Sequence, residues 1–173
     1  METQQERLIR YLDDAWACEK ALVDNLRAMA DDVNDPQVRT LFEQHAQVTK
    51  DQEEALEARI RALGDEPSGT KGWFNRIVGW VGEAVQGRAH DEYDKTTQNL
   101  MKAFGIENFE IAMYTALESY AAEIGDTETV QLAKQHRVQE EQSRDLIFPL
   151  IAPTAARPAA VTSDGQVSST RAA

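Results

Sequence analysis

The sequence predicts an all-α fold, a four-helix bundle with one long crossover connection that carries a short extra helix. Four long segments place apolar residues at the i, i+3, i+4 spacing of one buried helix face, beginning near Thr3, Pro36, Asp91 and Asp126. Short turns join the first helix to the second and the third to the fourth, whereas a long connection joins the second to the third. No segment shows the strict alternation that indicates a strand.

Start and stop signals place the ends of these helices. Thr3 and Glu6 have the spacing of a capping box, and Asp35-Pro36 supplies an N-cap acceptor followed by proline at the first helical position. Gly64 and Gly125 follow the second and third helices as C-cap glycines. Two helix pairs joined by one crossover form the connectivity of ferritin-like bundles.

The C-terminal boundary is predicted from two prolines. Phe148-Pro149 and Ala152-Pro153 are expected to end the fourth helix, because proline removes a helical hydrogen bond. Residues 1–151 are therefore predicted to form the bundle domain. Residues 152–173 are rich in Ala, Ser, Thr and Pro and are predicted to be a disordered tail. Such a tail is either a tether for a protein partner or an idle terminus.

The long crossover contains an unusually apolar segment, Trp73 to Val85. We expect a short helix that seals one side of the bundle. A contact between two copies in a dimer is the second interpretation. An interfacial membrane helix is the third, but the segment has few basic residues in a strongly acidic protein, so anionic lipid would be repelled.

Composition excludes several classes of function. The 173-residue chain has a formal net charge of -12, which opposes direct nucleic-acid binding because that needs basic residues against phosphates. No apolar run reaches the roughly 18–20 residues of a membrane span. A polar N-terminus without a signal-peptide pattern and a single cysteine, Cys18, indicate a cytoplasmic protein.

Polar residues interrupt the buried face near the middle of every helix. They are Glu19 in the first helix, His45 with Gln52 in the second, Glu107 with Glu110 in the third, and Glu140, together with His136, in the fourth. A carboxylate removed from water costs several kcal/mol unless a cation, a proton or hydrogen-bond donors meet it. A shared layer of carboxylates and imidazole suits iron or manganese.

The third helix leaves an alternative open. Its predicted apolar stripe consists of Leu100, Phe104, Glu107, Ile111, Tyr114, Leu117, Ala121 and Ile124, with Glu110 beside it. Either this face meets a cation, or the predicted register is wrong by about a third of a turn.

Three motifs resemble a known family. They are Tyr11-Leu12-Asp13-Asp14-Ala15 followed by Glu19-Lys20, then His45-x-x-x-Thr49-x-x-Gln52, then Glu107-x-Phe109-Glu110-Ile111-Ala112-x-Tyr114. Together they resemble the YciE/YciF-type ferritin-like proteins of bacterial stress responses. The resemblance implies a rubrerythrin-like bundle, often a homodimer, with a di-iron or di-manganese centre.

This chain departs from the family pattern at three positions. Val48 stands where relatives commonly have Glu, Asn108 where many have His, and Ser143 where a Glu-x-x-His motif beginning at Glu140 would need His. The second helix therefore offers His45, with Gln52 as a neutral partner. A single metal ion, an asymmetric pair and an empty site all remain open.

Two functions follow from the sequence. In the first, Glu19, Glu110 and Glu140 are the main metal ligands, His45 is the imidazole ligand and Glu107 is a bridging or supporting carboxylate. The resemblance then implies peroxide or dioxygen reduction coupled to iron oxidation. In the alternative, the bundle is metal-free and acts as a structural or partner-binding stress module, with its inward carboxylates protonated, hydrated or paired with Arg137 or Arg144. Neither function assigns a catalytic residue.

Overall fold

The computed structural model describes residues 1–68 and 91–157. Within these ranges it contains four helices: α1 (Gln4–Asp32), α2 (Pro36–Ala62), α3 (Glu92–Glu123) and α4 (Thr127–Ala155). The predicted all-α fold is confirmed. The predicted crossover helix at Trp73 to Val85 and the predicted tail from residue 158 onward lie outside the described residues.

Side-chain caps begin the helices where the sequence predicts. Thr3 and Glu6 form both hydrogen bonds of a capping box, and Asp35 accepts from two backbone amides at the start of α2. Asp126 caps α4 in the same way. Gly64 and Gly125 have positive φ angles of 88° and 78°, which side chains with a Cβ adopt at a cost of about 1–2 kcal/mol. At each glycine the chain therefore leaves the helix and turns towards the following segment.

Contacts between helix ends fix the directions of the helices. At one end, which we call the lower end, Gln5 donates to the Leu63 carbonyl across 3.0 Å and Tyr120 donates to the Gln4 carbonyl across 3.1 Å. At the opposite, upper end, Lys95 pairs with Asp32 across 2.6 Å. Consequently α1 runs antiparallel to both α2 and α3.

Three apolar clusters form the core of the bundle: a lower and an upper cluster, and a smaller one of Cys18, Leu22 and Ile106 between α1 and α3. The lower cluster includes Leu8, Leu12, Leu56, Ile60 and Leu117. The upper cluster is built from Leu26, Ala30, Val33, Val38, Phe42, Ala46, Leu100, Ala103 and Ile147. The polar residues predicted for the helix centres occupy the level between the lower and upper clusters, so apolar side chains separate them from both ends of the bundle.

The predicted register of α3 needs a correction. Phe104, Ile111 and Ile124 are only partly buried, whereas Ala103 and Glu110 are fully buried, at 0% and 1% exposure. The buried face is therefore rotated towards Glu110. Because Glu107 is also at 0% exposure, both carboxylates are central to this face.

The predicted end of α4 is wrong. The helix continues through Pro149 and Pro153 to Ala155, so the boundary after residue 151 falls inside it. Leu150 and Ile151 pack against the upper cluster, and Arg157 pairs with Asp35 across 2.9 Å. These contacts offset the loss of the backbone hydrogen bonds that the two prolines cannot donate.

No helix among residues 1–68 and 91–157 has the length and apolar character needed to cross a membrane.

Candidate metal centre

All five residues predicted as metal ligands are buried in the layer between the lower and upper apolar clusters. Glu19, Glu107 and Glu140 are at 0% exposure, Glu110 is at 1% and His45 is at 5%. Each helix contributes at least one of them. Isolated carboxylates at this depth are unfavourable, because water no longer solvates their charge.

Three of the five residues converge on one point. His45 Nδ1 lies 3.5 Å from Glu107 Oε1, and His45 Nε2 lies 3.6 Å from Glu140 Oε2. One ligand atom from each residue lies within 4.8 Å of the other two. The imidazole therefore stands between a carboxylate from α3 and a carboxylate from α4.

Glu19 and Glu110 form the other side of the layer. The Tyr114 hydroxyl donates to Glu19 Oε1, and the Cys18 thiol donates weakly to Glu110 Oε1 across 3.7 Å. Burial first, and then the neighbouring Glu19 carboxylate, raise the pKa of Glu110. These two residues lie beside the His45, Glu107 and Glu140 group without joining it.

Gln52 supports this layer through a hydrogen bond. Its Nε2 donates to Glu140 Oε1 and also to Gln139 Oε1, the second across 3.3 Å. The amide therefore orients the Glu140 carboxylate and leaves Glu140 Oε2 facing His45.

Among the described residues, six side-chain atoms of the five predicted ligands have no hydrogen-bond partner. They are both ring nitrogens of His45, both carboxylate oxygens of Glu107, Oε2 of Glu19 and Oε2 of Glu140. Orphaned buried polar atoms are rare in folded proteins. Here they come from all four helices, and most belong to the converging trio. A cation coordinated by imidazole and carboxylate would satisfy them, and this donor set suits iron or manganese.

Arginine does not neutralise the layer. Arg137 binds Glu118 and Glu141, and Arg144 binds Asp145, so the predicted ion pairs between these arginines and inward carboxylates are wrong. Both arginines point to the outer surface of α4. Over the described ranges, no Lys or Arg forms an ion pair with any of the five layer residues.

Burial makes ionisation of the layer difficult. It raises the pKa of Glu19, Glu107 and Glu110 well above 4.5, and neighbouring carboxylates, Glu140 among them, raise these pKa values further. Without a cation, these groups therefore tend to keep their protons. A divalent ion would replace the protons and stabilise the charged carboxylates.

Two buried residues have contacts that the sequence pattern does not reveal. Tyr114 is completely buried and joins Glu19 to His136, whose Nδ1 lies 3.2 Å from the Tyr114 oxygen. His136 was expected in the polar layer together with Glu140, and its ring nitrogen contacts Tyr114 there. Glu19, Tyr114 and His136 lie on three different helices, so no spacing within one helix indicates their contact.

Known proteins share both the sequence pattern and the fold. A family model described as "Domain of unknown function (DUF892)" matches residues 3–160. The E. coli stress protein YciF is 18% identical with a TM-score of 0.78, and the match covers 91% of this chain and 100% of that chain.

Two further solved structures resemble the bundle. YcfI from Rhodopseudomonas palustris is 21% identical with a TM-score of 0.77, over 86% of this chain and 94% of that chain. A protein from Xanthomonas campestris pv. campestris is 22% identical with a TM-score of 0.72, over 88% of this chain and 94% of that chain. These likenesses confirm the fold.

Proposed function

The chain belongs to the DUF892 family, and from this premise we propose that it is a ferritin-like stress protein that binds iron or manganese in its core. The family match and the likeness to YciF confirm the resemblance to YciE/YciF-type proteins. The stress role is carried over from the description of YciF. The metal role is argued from the buried layer of this chain.

The unpartnered atoms of the buried layer carry the proposal. His45 has two ring nitrogens without partners, and each faces a carboxylate oxygen that also lacks one. Hydrogen bonding alone does not satisfy this arrangement, because each unpartnered buried group costs about 1–3 kcal/mol. A cation among these residues would bind one ring nitrogen of His45 together with carboxylate oxygens, and the other ring nitrogen would then carry a proton and donate it to the carboxylate that it faces.

The five layer residues have different roles in this proposal. His45, Glu107 and Glu140 hold the ion, Glu19 offers its unpartnered Oε2 as a further ligand, and Glu110 provides a carboxylate for a second ion or for protons displaced from the first site. Bound iron or manganese would supply redox chemistry towards peroxide or dioxygen. The apolar clusters above and below keep bulk water from the layer, and Gln52 keeps the Glu140 carboxylate in one orientation.

A metal-free structural module is the second candidate. The raised pKa values of Glu19, Glu107 and Glu110 favour it, because carboxyl groups that keep their protons can donate hydrogen bonds to neighbouring carboxylates. In this state the raised pKa values keep the layer uncharged. The module would then act through its surface, and the core would serve stability alone.

Metal analysis separates the two candidates. We would purify wild-type protein without chelator and measure iron and manganese per chain, beside Glu107→Gln and the exposed control Glu43→Gln. The metal proposal predicts about one ion or more per chain in wild type and in Glu43→Gln, and a large loss in Glu107→Gln. Metal below about 0.2 per chain in wild type, with no binding on addition of Fe(II) or Mn(II), would favour the metal-free module.

A further inference from the structure

We propose that Tyr114 and His136 are positioning residues of the metal centre, which fix the Glu19 carboxylate so that its Oε2 faces the ion. In this array His136 Nδ1–H donates to the Tyr114 oxygen, and the Tyr114 hydroxyl donates to Glu19 Oε1. The inference rests on the proposed metal function and adds two residues that do not themselves bind the ion.

The contacts of Tyr114 define the array. Its ring is completely buried, and its hydroxyl contacts one carboxylate oxygen from α1 and one imidazole nitrogen from α4. The Tyr114 and His136 rings meet edge to face, with centroids 5.2 Å apart and planes at 85°. The hydroxyl is therefore held between two fixed partners on different helices.

Counting hydrogens gives the array its direction. A phenol has one hydrogen to donate, and an ionised carboxylate can only accept. When Glu19 is ionised as a ligand, Tyr114 must donate to it, so His136 Nδ1 must donate to Tyr114. His136 is then the neutral Nδ1–H tautomer. Burial favours the neutral ring, because it lowers the pKa of His136 to about 4.

The array leaves one oxygen of Glu19 available. Oε1 is occupied by Tyr114, whereas Oε2 is buried and has no partner. Glu140 shows the same division, because Gln52 occupies its Oε1 and its Oε2 is unpartnered. Two carboxylates on different helices are thus each held at one oxygen by a neutral donor. Such supporting hydrogen bonds orient ligands, and their loss commonly weakens metal binding about 10–100-fold.

The dissociation constant of Mn(II) tests the array, measured by titration of the chelator-treated full-length protein. Tyr114→Phe keeps the ring and removes the hydroxyl, and we expect it to weaken binding about 10–100-fold. The matched control is Tyr120→Phe, which also removes a phenolic hydrogen bond but at the lower end of the bundle. The control should bind Mn(II) like wild type.

His136 variants test whether this residue acts through Tyr114. His136→Leu removes the donor and should weaken Mn(II) binding, whereas His136→Asn keeps an N–H near the position of Nδ1 and should restore most of the affinity. In the Tyr114→Phe background, His136→Leu should weaken binding no further. A merely structural role of His136 would give the same loss in both backgrounds.

The outcomes distinguish this inference from the proposed function. Suppose that wild type binds Mn(II) and that the dissociation constant of Tyr114→Phe lies within about threefold of the wild-type value. That result would overturn the inference and leave the metal function intact. A His136→Leu effect that is unchanged in the Tyr114→Phe background would also overturn it. Failure of wild type to bind Mn(II), Fe(II) or any other divalent ion would contradict the metal function, and the inference with it.

Discussion

His45 Nε2 and Glu140 Oε2 face each other across 3.6 Å in the core, and neither atom has a hydrogen-bond partner. The pair joins α2 to α4 in the level between the lower and upper apolar clusters. Apolar residues of the same size would pack there without this penalty, so the pair is not explained by a contribution to stability. Coordination of a cation, as we propose, would use both atoms.

Replacing one layer carboxylate should stabilise the metal-free protein. Glu107→Gln removes an ionisable group whose two oxygens are buried and unpartnered, so we expect the free energy of unfolding of chelator-treated protein at about pH 8 to rise by about 1 kcal/mol or more. Denaturant unfolding measures this change. Glu43→Gln, on the exposed face of α2, should shift stability by less than about 0.5 kcal/mol.

A loss of stability in Glu107→Gln, with Glu43→Gln unchanged, would contradict this prediction. It would show that the Glu107 carboxylate contributes to folding through contacts of its own.

The stability of the metal-free protein should fall as pH rises. The raised pKa values of Glu19, Glu107 and Glu110 mean that the folded state binds protons that the unfolded chain releases near pH 4.5. Their contribution is complete below that pH and is lost as pH rises through the raised pKa values.

The contribution of His136 to stability has the opposite pH dependence, and it changes at lower pH. Its pKa falls from 6.5 to about 4, so its contribution is complete above pH 6.5 and is lost as pH falls towards 4. Measurements between pH 6.5 and about 8.5 therefore isolate the carboxylates. The melting temperature of chelator-treated wild type should fall across this range, and that of Glu107→Gln should fall less. A wild-type melting temperature that rises with pH would contradict the assigned protonation.

Gly125 should resist substitution because of its backbone conformation. Its φ of 78° is positive, and a Cβ at this position would meet no atom within 4 Å, so strain in the turn is the only cost. Gly125→Ala should therefore lose about 1–2 kcal/mol of stability, measured by thermal unfolding. Gly125→Asn should lose less, because asparagine tolerates this conformation. Equal losses of stability in the two variants would contradict the assignment of this cost to backbone strain.

Truncation tests the corrected end of α4. A chain that ends after Ala152 loses the buried Thr154 and the ion pair of Arg157 with Asp35, so its melting temperature should fall by a few degrees. A chain that ends after Arg157 keeps both contacts and serves as the control. If residues 158–173 are disordered, as predicted for the tail of residues 152–173, this control should melt like the full-length protein. Equal melting of the two shortened chains would show that the last turn of α4 is dispensable.

Sequence patterns locate the helices and the layer but not the contacts between helices. The caps at Thr3 and Asp35 and the C-terminal turn at Gly125 are local signals, so the structure confirms them. Glu19 and His45 were identified because each interrupts an otherwise apolar helical face. Burial of both residues agrees with that interpretation.

The predictions that the structure corrects share one physical cause, which is packing between segments that are distant in sequence. The register of α3 and the continuation of α4 past Pro149 depend on which apolar side chains find partners across the bundle. The direction of Arg137 depends on Glu118, which lies on another helix. The hydrogen bond from Tyr114 to Glu19 also joins separate helices, so helical periodicity cannot reveal it.

Anomalous diffraction tests the central claim most directly. Crystals of chelator-treated protein would be soaked in Mn(II), and data would be collected at a wavelength at which manganese scatters anomalously. Metal binding in the core predicts the strongest anomalous peak among His45, Glu107 and Glu140. Manganese found only on surface carboxylates, with His45 directly hydrogen-bonded to Glu140 in the core, would contradict the claim.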